Sequence, residues 1–149
     1  SIAFAREFHP MPHVNPAPDE IRALLKRVRT IAVVGLSPRP DRPSHTVARA
    51  MQGFGYRIVP VRPAVAEVLG EQAYARLADI PFPVDLVDVF RAAEHVPALV
   101  EEAIAIGAPA IWLQDGIVHE AAAERARAAG LTVVTDRCIY RDYVTLMTA

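Results

Sequence analysis

Five short apolar runs recur along the chain, at residues 31–34, 56–61, 84–90, 110–113 and 131–134, with helical periodicity in most of the gaps. Runs this brief and this continuously apolar read as strands buried on both faces. Helices are predicted over 19–28, where Ile21, Leu24, Leu25 and Val28 share one face, and over 44–54, with Ser44 as the cap. Further helices are predicted near 72–77, over 94–106, over 119–129 and over 141–147. Gly55, Gly107 and Gly130 stand where three of these helices should stop. Strands alternating with helices imply a doubly wound parallel α/β sheet, because right-handed crossovers place helices on both faces. Residues 1–18 hold four prolines and little periodicity, and read as an irregular N-terminal arm before a single domain spanning 19–149.

Composition narrows the class of function. Sixteen Lys+Arg against 17 Asp+Glu leave a net charge of −1, which argues against a chain held on nucleic acid by its charge. A hydrophobic fraction of 52% suits a packed core rather than a disordered chain. No apolar run approaches the ~18 residues of a membrane span, and residues near the start show no leader pattern. Cys138 is the only cysteine, so no internal disulfide forms. A cytoplasmic protein with no membrane partner is expected. Lys26 is the only lysine, which removes the phosphate-loop lysine and Schiff-base chemistry from consideration.

In a doubly wound sheet, ligands bind outside the carboxyl ends of the strands. After the first strand comes Gly35-Leu36-Ser37-Pro38-Arg39-Pro40-Asp41-Arg42-Pro43-Ser44. A glycine for close approach, hydroxyls, arginines and a following helix N-terminus suit a phosphate, although a rigid connecting loop would look similar. The G-x-G-x-x-G dinucleotide fingerprint is absent. After the second strand, Arg62 stands where an NAD site usually has an acidic residue. It favours a phosphorylated ribose, as in NADP or coenzyme A. Phe90 and Arg91 end the third strand, where a ligand or the core would take Phe90.

Asp85 and Asp88 lie three apart, so on one strand they face opposite sides and make a poor dyad or metal pair. Each is expected to bond locally. Gln114 and Gly116 follow the fourth strand, where a glutamine can read an amide such as those of a pantetheine arm. Cys138, after the fifth strand, is either an inert packed thiol or one adjacent to the ligand. The five histidines, at 9, 13, 45, 95 and 119, show no metal-ligand spacing with it. No nucleophile elbow or acid–base set stands out, so no catalytic residue and no metal are assigned.

Taken in order, GLSPRPDRPSHTVARAMQGFGYRIVPVRP, IPFPVDLVDVFR and AIWLQDGIVHEAAAERARAAGLTVVTDRC resemble the small stand-alone CoA-binding domain proteins. These are similar to the N-terminal CoA-binding half of the succinyl-CoA synthetase α subunit. The resemblance covers about residues 20–146 and implies a Rossmann-like five-stranded sheet. It implies coenzyme A or an acyl-CoA lying across the strand ends. Gly35, Ser37, Arg42 and Ser44 would then face the phosphates and nucleotide. Arg62 stands where the family typically has asparagine. Phe90 and Arg91 match its V-F-R ending, Gln114 and Gly116 its Q-x-G turn, and Cys138 its D-R-C segment. Arg141 and Asp142 replace the usual Glu-His. The synthetase also needs a phosphohistidine domain and a nucleotide-grasping subunit, for which 149 residues leave no space. The expectation is therefore a binding module without ligase chemistry. The alternatives are an NADP-dependent oxidoreductase and a protein-interaction module without a ligand.

Overall fold

A computed structural model describes residues 12–148. The five apolar runs form one parallel sheet. Its strands are β1 (Thr30–Val34), β2 (Arg57–Val61), β5 (Leu86–Val89), β6 (Ala110–Leu113) and β7 (Thr132–Val134), in spatial order β2-β1-β5-β6-β7. Two short strands, β3 (Glu67–Val68) and β4 (Glu71–Gln72), pair antiparallel beside it. The helices are α1 (Pro18–Arg27), α2 (Pro43–Gly53), α3 (Val96–Ala105), α4 (Glu120–Ala128) and α5 (Ile139–Met147).

Alternation along the strands divides the core in two. Ala32, Val34, Val87, Val89, Ile111 and Val133 pack with the apolar faces of α3 and α4. Ile31, Val33, Leu86, Trp112 and Val134 pack with α1, α2 and α5. Both faces of the sheet are thus covered, which is why the strands read as continuous apolar runs rather than alternating ones.

The region between β2 and β5 departs from expectation. No helix forms near 72–77. The chain instead turns at Leu69-Gly70, both at positive φ (56° and 76°), and returns as the β3–β4 hairpin. Two successive left-handed residues favour a tight hairpin turn. Tyr74 then runs beside the sheet edge, its N–H donating to Pro60 O at 2.9 Å and its carbonyl accepting from Arg62 N–H at 2.8 Å. Pro60 is tolerated because β2 is the edge strand and the outer partner needs only its carbonyl. A single 3₁₀ turn, Leu77–Asp79, follows.

Smaller differences have local causes. The helix at α2 starts at Pro43, with Arg42 as its N-cap, so Ser44 is inside the helix and does not cap it. Proline's fixed φ suits the first helical position. Asp85 stays outside β5 because its carboxylate accepts from the Arg29 and Thr30 N–H groups, both at 2.9 Å. Neither this contact nor the one Asp88 makes with Gln114 is the local bonding expected of the two aspartates: both partners come from neighbouring strands or their ends, far away in the chain. In the N-terminal segment only 12–17 precede α1 among the described residues, without regular structure. Asn15 docks there on Thr135, donating to its carbonyl at 2.9 Å and accepting from its N–H at 2.8 Å.

The crossover from β1 leads to β2 on one side, while β5 lies on the other. Chain order therefore reverses at β1 and β5, and their carboxyl ends open a crevice between the departing loops.

Candidate functional site

A cleft of about 840 Å³ occupies that crevice, within the range of small-molecule sites. Its walls come from the segments that leave the carboxyl ends of all five strands. Gly35, Ser37, Arg39, Arg42, Pro43, Ser44 and Val47 come from the β1–α2 loop and the start of α2. Arg62 follows β2, and Phe90, Arg91 and Ala92 follow β5. Gln114, Asp115 and Ile117 follow β6, and Cys138 caps α5. A recess of about 290 Å³ shares Gly35, Arg62, Phe90 and Arg91 and reaches Val61 and Pro63.

Gly35 sets the closeness of the two central strand ends. Its φ is +85°, and a Cβ there would sit 2.5 Å from the Phe90 carbonyl oxygen. Only glycine allows both the conformation and the contact. The loop beyond is pinned from inside. Ser44 Oγ accepts from Ser37 N–H at 3.0 Å, and Ser37 Oγ accepts from Arg39 N–H at 3.1 Å. The buried His45 donates from Nδ1 to Ser37 O at 2.9 Å. Each serine hydroxyl uses its acceptor role within the loop, which leaves its O–H to donate to an anion.

Charge in the cleft is one-sided. Arg39, Arg42, Arg62 and Arg91 line it, against one carboxylate, Asp115, which pairs with Arg141. Arg39 is tied to Asp41, and Arg62 reaches Gly35 O at 3.4 Å. Arg42 and Arg91 make no ion pair among the described residues. No side chain caps the start of α2, whose first-turn N–H groups add to the positive field.

The opposite wall is held by buried polar contacts. Trp112 Nε1 donates to Arg137 O at 2.8 Å, fixing the turn ahead of Cys138. Arg137 grips the buried Asp142 through two bonds of 2.6 and 2.7 Å. Arg141 and Asp142, the departures from the family pattern, are thus both occupied in ion pairs. Gln114 Nε2 donates to Asp88 Oδ1 at 2.6 Å. Asp88 is 1% exposed, and burial pushes its carboxyl up to about 7, opposed by the Gln114 hydrogen bond.

Of the ten residues singled out in the sequence, nine line the cleft. Gly116 does not, and its N–H is taken by Asp136 Oδ1 at 2.7 Å. Six lining residues are not singled out by the sequence: Arg39 and Pro43 within the β1–α2 loop, Val47 on α2, and Ala92, Asp115 and Ile117 beside Arg91, Gln114 and Gly116. Sequence reasoning also missed the place of Asp88 beneath Gln114, since only the sheet register brings strands β5 and β6 together there. Among the described residues, no three His, Cys, Asp or Glu side chains gather as metal ligands. No helix there is long and apolar enough to cross a membrane.

A five-stranded parallel sheet flanked by helices, with an arginine-lined cleft at its switch point, defines a Rossmann-like ligand-binding domain. The chain belongs to the CoA binding domain family, whose model matches residues 29–143. It is 47% identical over 125 residues to the uncharacterized protein YneT of Bacillus subtilis, covering 84% of this chain and 93% of that one. Over 74 residues, half of this chain, it is 32% identical to an ADP-forming acetate–CoA ligase of Archaeoglobus fulgidus, of which it spans 11%. A hypothetical protein from Pyrococcus horikoshii superposes with a TM-score of 0.88 at 34% identity, covering 95% of this chain and 99% of that one. The relation to CoA ligases is therefore one of domain architecture.

Proposed function

We propose that this protein binds coenzyme A or an acyl-CoA in the cleft at the strand ends and performs no ligase step itself. The observation that carries the reading is the charge of the cleft: four lining arginines face a single acidic side chain that is already paired. CoA offers a ribose 3′-phosphate and a diphosphate to such a wall. Arg42 and Arg62 take the phosphates with charge-assisted hydrogen bonds, assisted by the Ser37 and Ser44 hydroxyls and the start of α2. Gly35 lets the ligand approach the backbone, and Phe90 and Arg91 border its path. Gln114 meets the pantetheine arm, with Gly116 shaping its turn, and Cys138 stands at the rim. Membership of the CoA binding domain family over residues 29–143 supports CoA as the ligand; a specific kinship with the N-terminal half of the succinyl-CoA synthetase α subunit is part of this proposal.

Calorimetric titration with CoA, dephospho-CoA and NADPH tests the reading. CoA binding is expected to weaken by about tenfold to a hundredfold on loss of the 3′-phosphate, the worth of one hydrogen-bonded charge. Arg42→Ala and Arg62→Ala are each expected to weaken CoA binding. Absence of CoA binding up to millimolar ligand would overturn the proposal. Binding of NADPH alone would transfer the site to the redox alternative that Arg62 permits.

A further inference from the structure

Asp88 is a buried carboxylate within an otherwise apolar strand. It lies on β5 between Val33 of β1 and Trp112 of β6, on the sheet face covered by α1, α2 and α5. A carboxylate in such a place is costly unless something holds it. No cation pairs with it among the described residues: Arg137 is taken by Asp142 and Arg141 by Asp115. Its hydrogen-bond partner is Gln114, two residues beyond its register partner Trp112 and nearer the cleft.

That contact dictates what the ligand meets. A carboxylate only accepts hydrogen bonds, so it demands the NH₂ group of a facing amide. Gln114 therefore turns Nε2 inward. Its Oε1 accepts no hydrogen bond among the described residues, where no sealed side-chain polar atom lacks a partner, so Oε1 opens onto the cleft that Gln114 lines. We propose that Asp88 is a positioning residue that locks the Gln114 amide so the cleft floor presents an acceptor, selecting a cofactor arm that offers an amide N–H. This rests on the CoA reading above, whose pantetheine arm carries secondary amides.

The same geometry makes the lock depend on a proton. A protonated Asp88 has an O–H to donate, pairs with Gln114 Oε1, and lets the NH₂ group turn outward; the floor then changes from acceptor to donor. With the carboxyl raised to about 7 by burial, both forms exist near neutrality. The other titratable groups bordering this face are His45 on α2, Tyr56 before β2, Tyr143 and Asp142 on α5 with Arg137 as the partner of Asp142, and Arg91, Asp115 and Cys138 at the rim. None of them hydrogen-bonds or ion-pairs with Asp88 among the described residues. The inward residues of α1, Ile21, Leu24 and Leu25, carry no charge.

The test compares CoA with adenosine 3′,5′-bisphosphate, which keeps the nucleotide 3′-phosphate and lacks the arm. Both are titrated calorimetrically between pH 6 and 8.5 into the wild type, Asp88→Asn and Gln114→Ala. The 3′-phosphate titrates alike in both ligands, and titration of the bisphosphate's own 5′-phosphate is removed by dividing the wild-type affinity ratio by that of Gln114→Ala at each pH. The quotient should fall about threefold to tenfold toward pH 6, the worth of one neutral hydrogen bond. The same quotient for Asp88→Asn should not change with pH, and if that variant does not fold, the contrast between wild type and Gln114→Ala decides. A wild-type quotient independent of pH overturns the role of Asp88 and leaves the CoA reading intact. Failure of both ligands to bind overturns the CoA reading and this inference with it.

Discussion

Asp88→Asn is expected to make the protein more stable at alkaline pH and to flatten its response to pH. The carboxyl is raised from 3.8 to about 7 by burial. Folding therefore favours its protonated form. The stability associated with that form is fully present below about pH 4, shrinks as pH rises toward 7, and is lost above the folded-state value. Each tenfold gain in proton affinity on folding is worth about 1.4 kcal/mol, so the full penalty of the ionised form is about 4 kcal/mol. That is a large share of the roughly 5–15 kcal/mol that holds a domain folded. Asparagine keeps the size and can still accept from Gln114 Nε2, yet does not ionise. Urea denaturation of both proteins at pH 5, 6, 7 and 8 gives the difference directly. Groups common to both cancel, and the advantage of the variant should grow by about 2–3 kcal/mol from pH 5 to pH 8. Stability curves that run parallel across this window would refute the reasoning. They would mean that water reaches Asp88 and keeps its carboxyl near the ordinary range.

Three further outcomes are expected. Gly35→Ala should cost about 2–5 kcal/mol in urea denaturation, from the left-handed conformation and the overlap with the Phe90 carbonyl, and should abolish CoA binding. A cost below about 1 kcal/mol would show that the β5 end yields to a methyl group. Tyr56→Phe removes the 2.5 Å hydrogen bond from the buried hydroxyl to Leu25 O and should cost about 1–2 kcal/mol in urea denaturation, whereas no loss would mean that water satisfies that carbonyl. Incubation with CoA disulfide should add one CoA to the protein through Cys138, whose thiolate displaces a CoA thiol; intact-mass analysis showing no adduct, or an equal adduct on Cys138→Ser, would exclude the rim placement of the cysteine thiol near the cofactor's sulfur.

Much of the fold was legible because each strand is too short and too apolar to be anything but a doubly covered one. The exception, the hairpin at Glu67–Val68 and Glu71–Gln72, is instructive. Nothing in the local pattern announces it, since two-residue strands carry no periodicity. It exists because β2 ends the sheet, and the passing chain at Tyr74 can satisfy that edge. The misplaced cap at Ser44 has a similar origin. Serine is a good cap in isolation, but Pro43 starts the helix one residue earlier and the hydroxyl is taken by Ser37 N–H.

The candidate site divides along the same line. The order of strands, glycines and arginines in the sequence determined that a polar loop with Gly35, Ser37 and Arg42 follows one strand and Gln114 another. Residue types at strand ends are local facts, and a parallel sheet obliges all such ends to lie on one side. Which ends adjoin was decided only by the tertiary arrangement. The order β2-β1-β5-β6-β7 sets Gly35 against Phe90 and brings Arg62 toward the same opening. The register of β5 on β6 places Asp88 under Gln114, 26 residues away in the chain. An aspartate inside an apolar strand is recognisable in sequence, but its burial and its single amide partner exist only once the strands pair. The burial gives the carboxyl its unusual proton affinity, and the amide partner only tempers it.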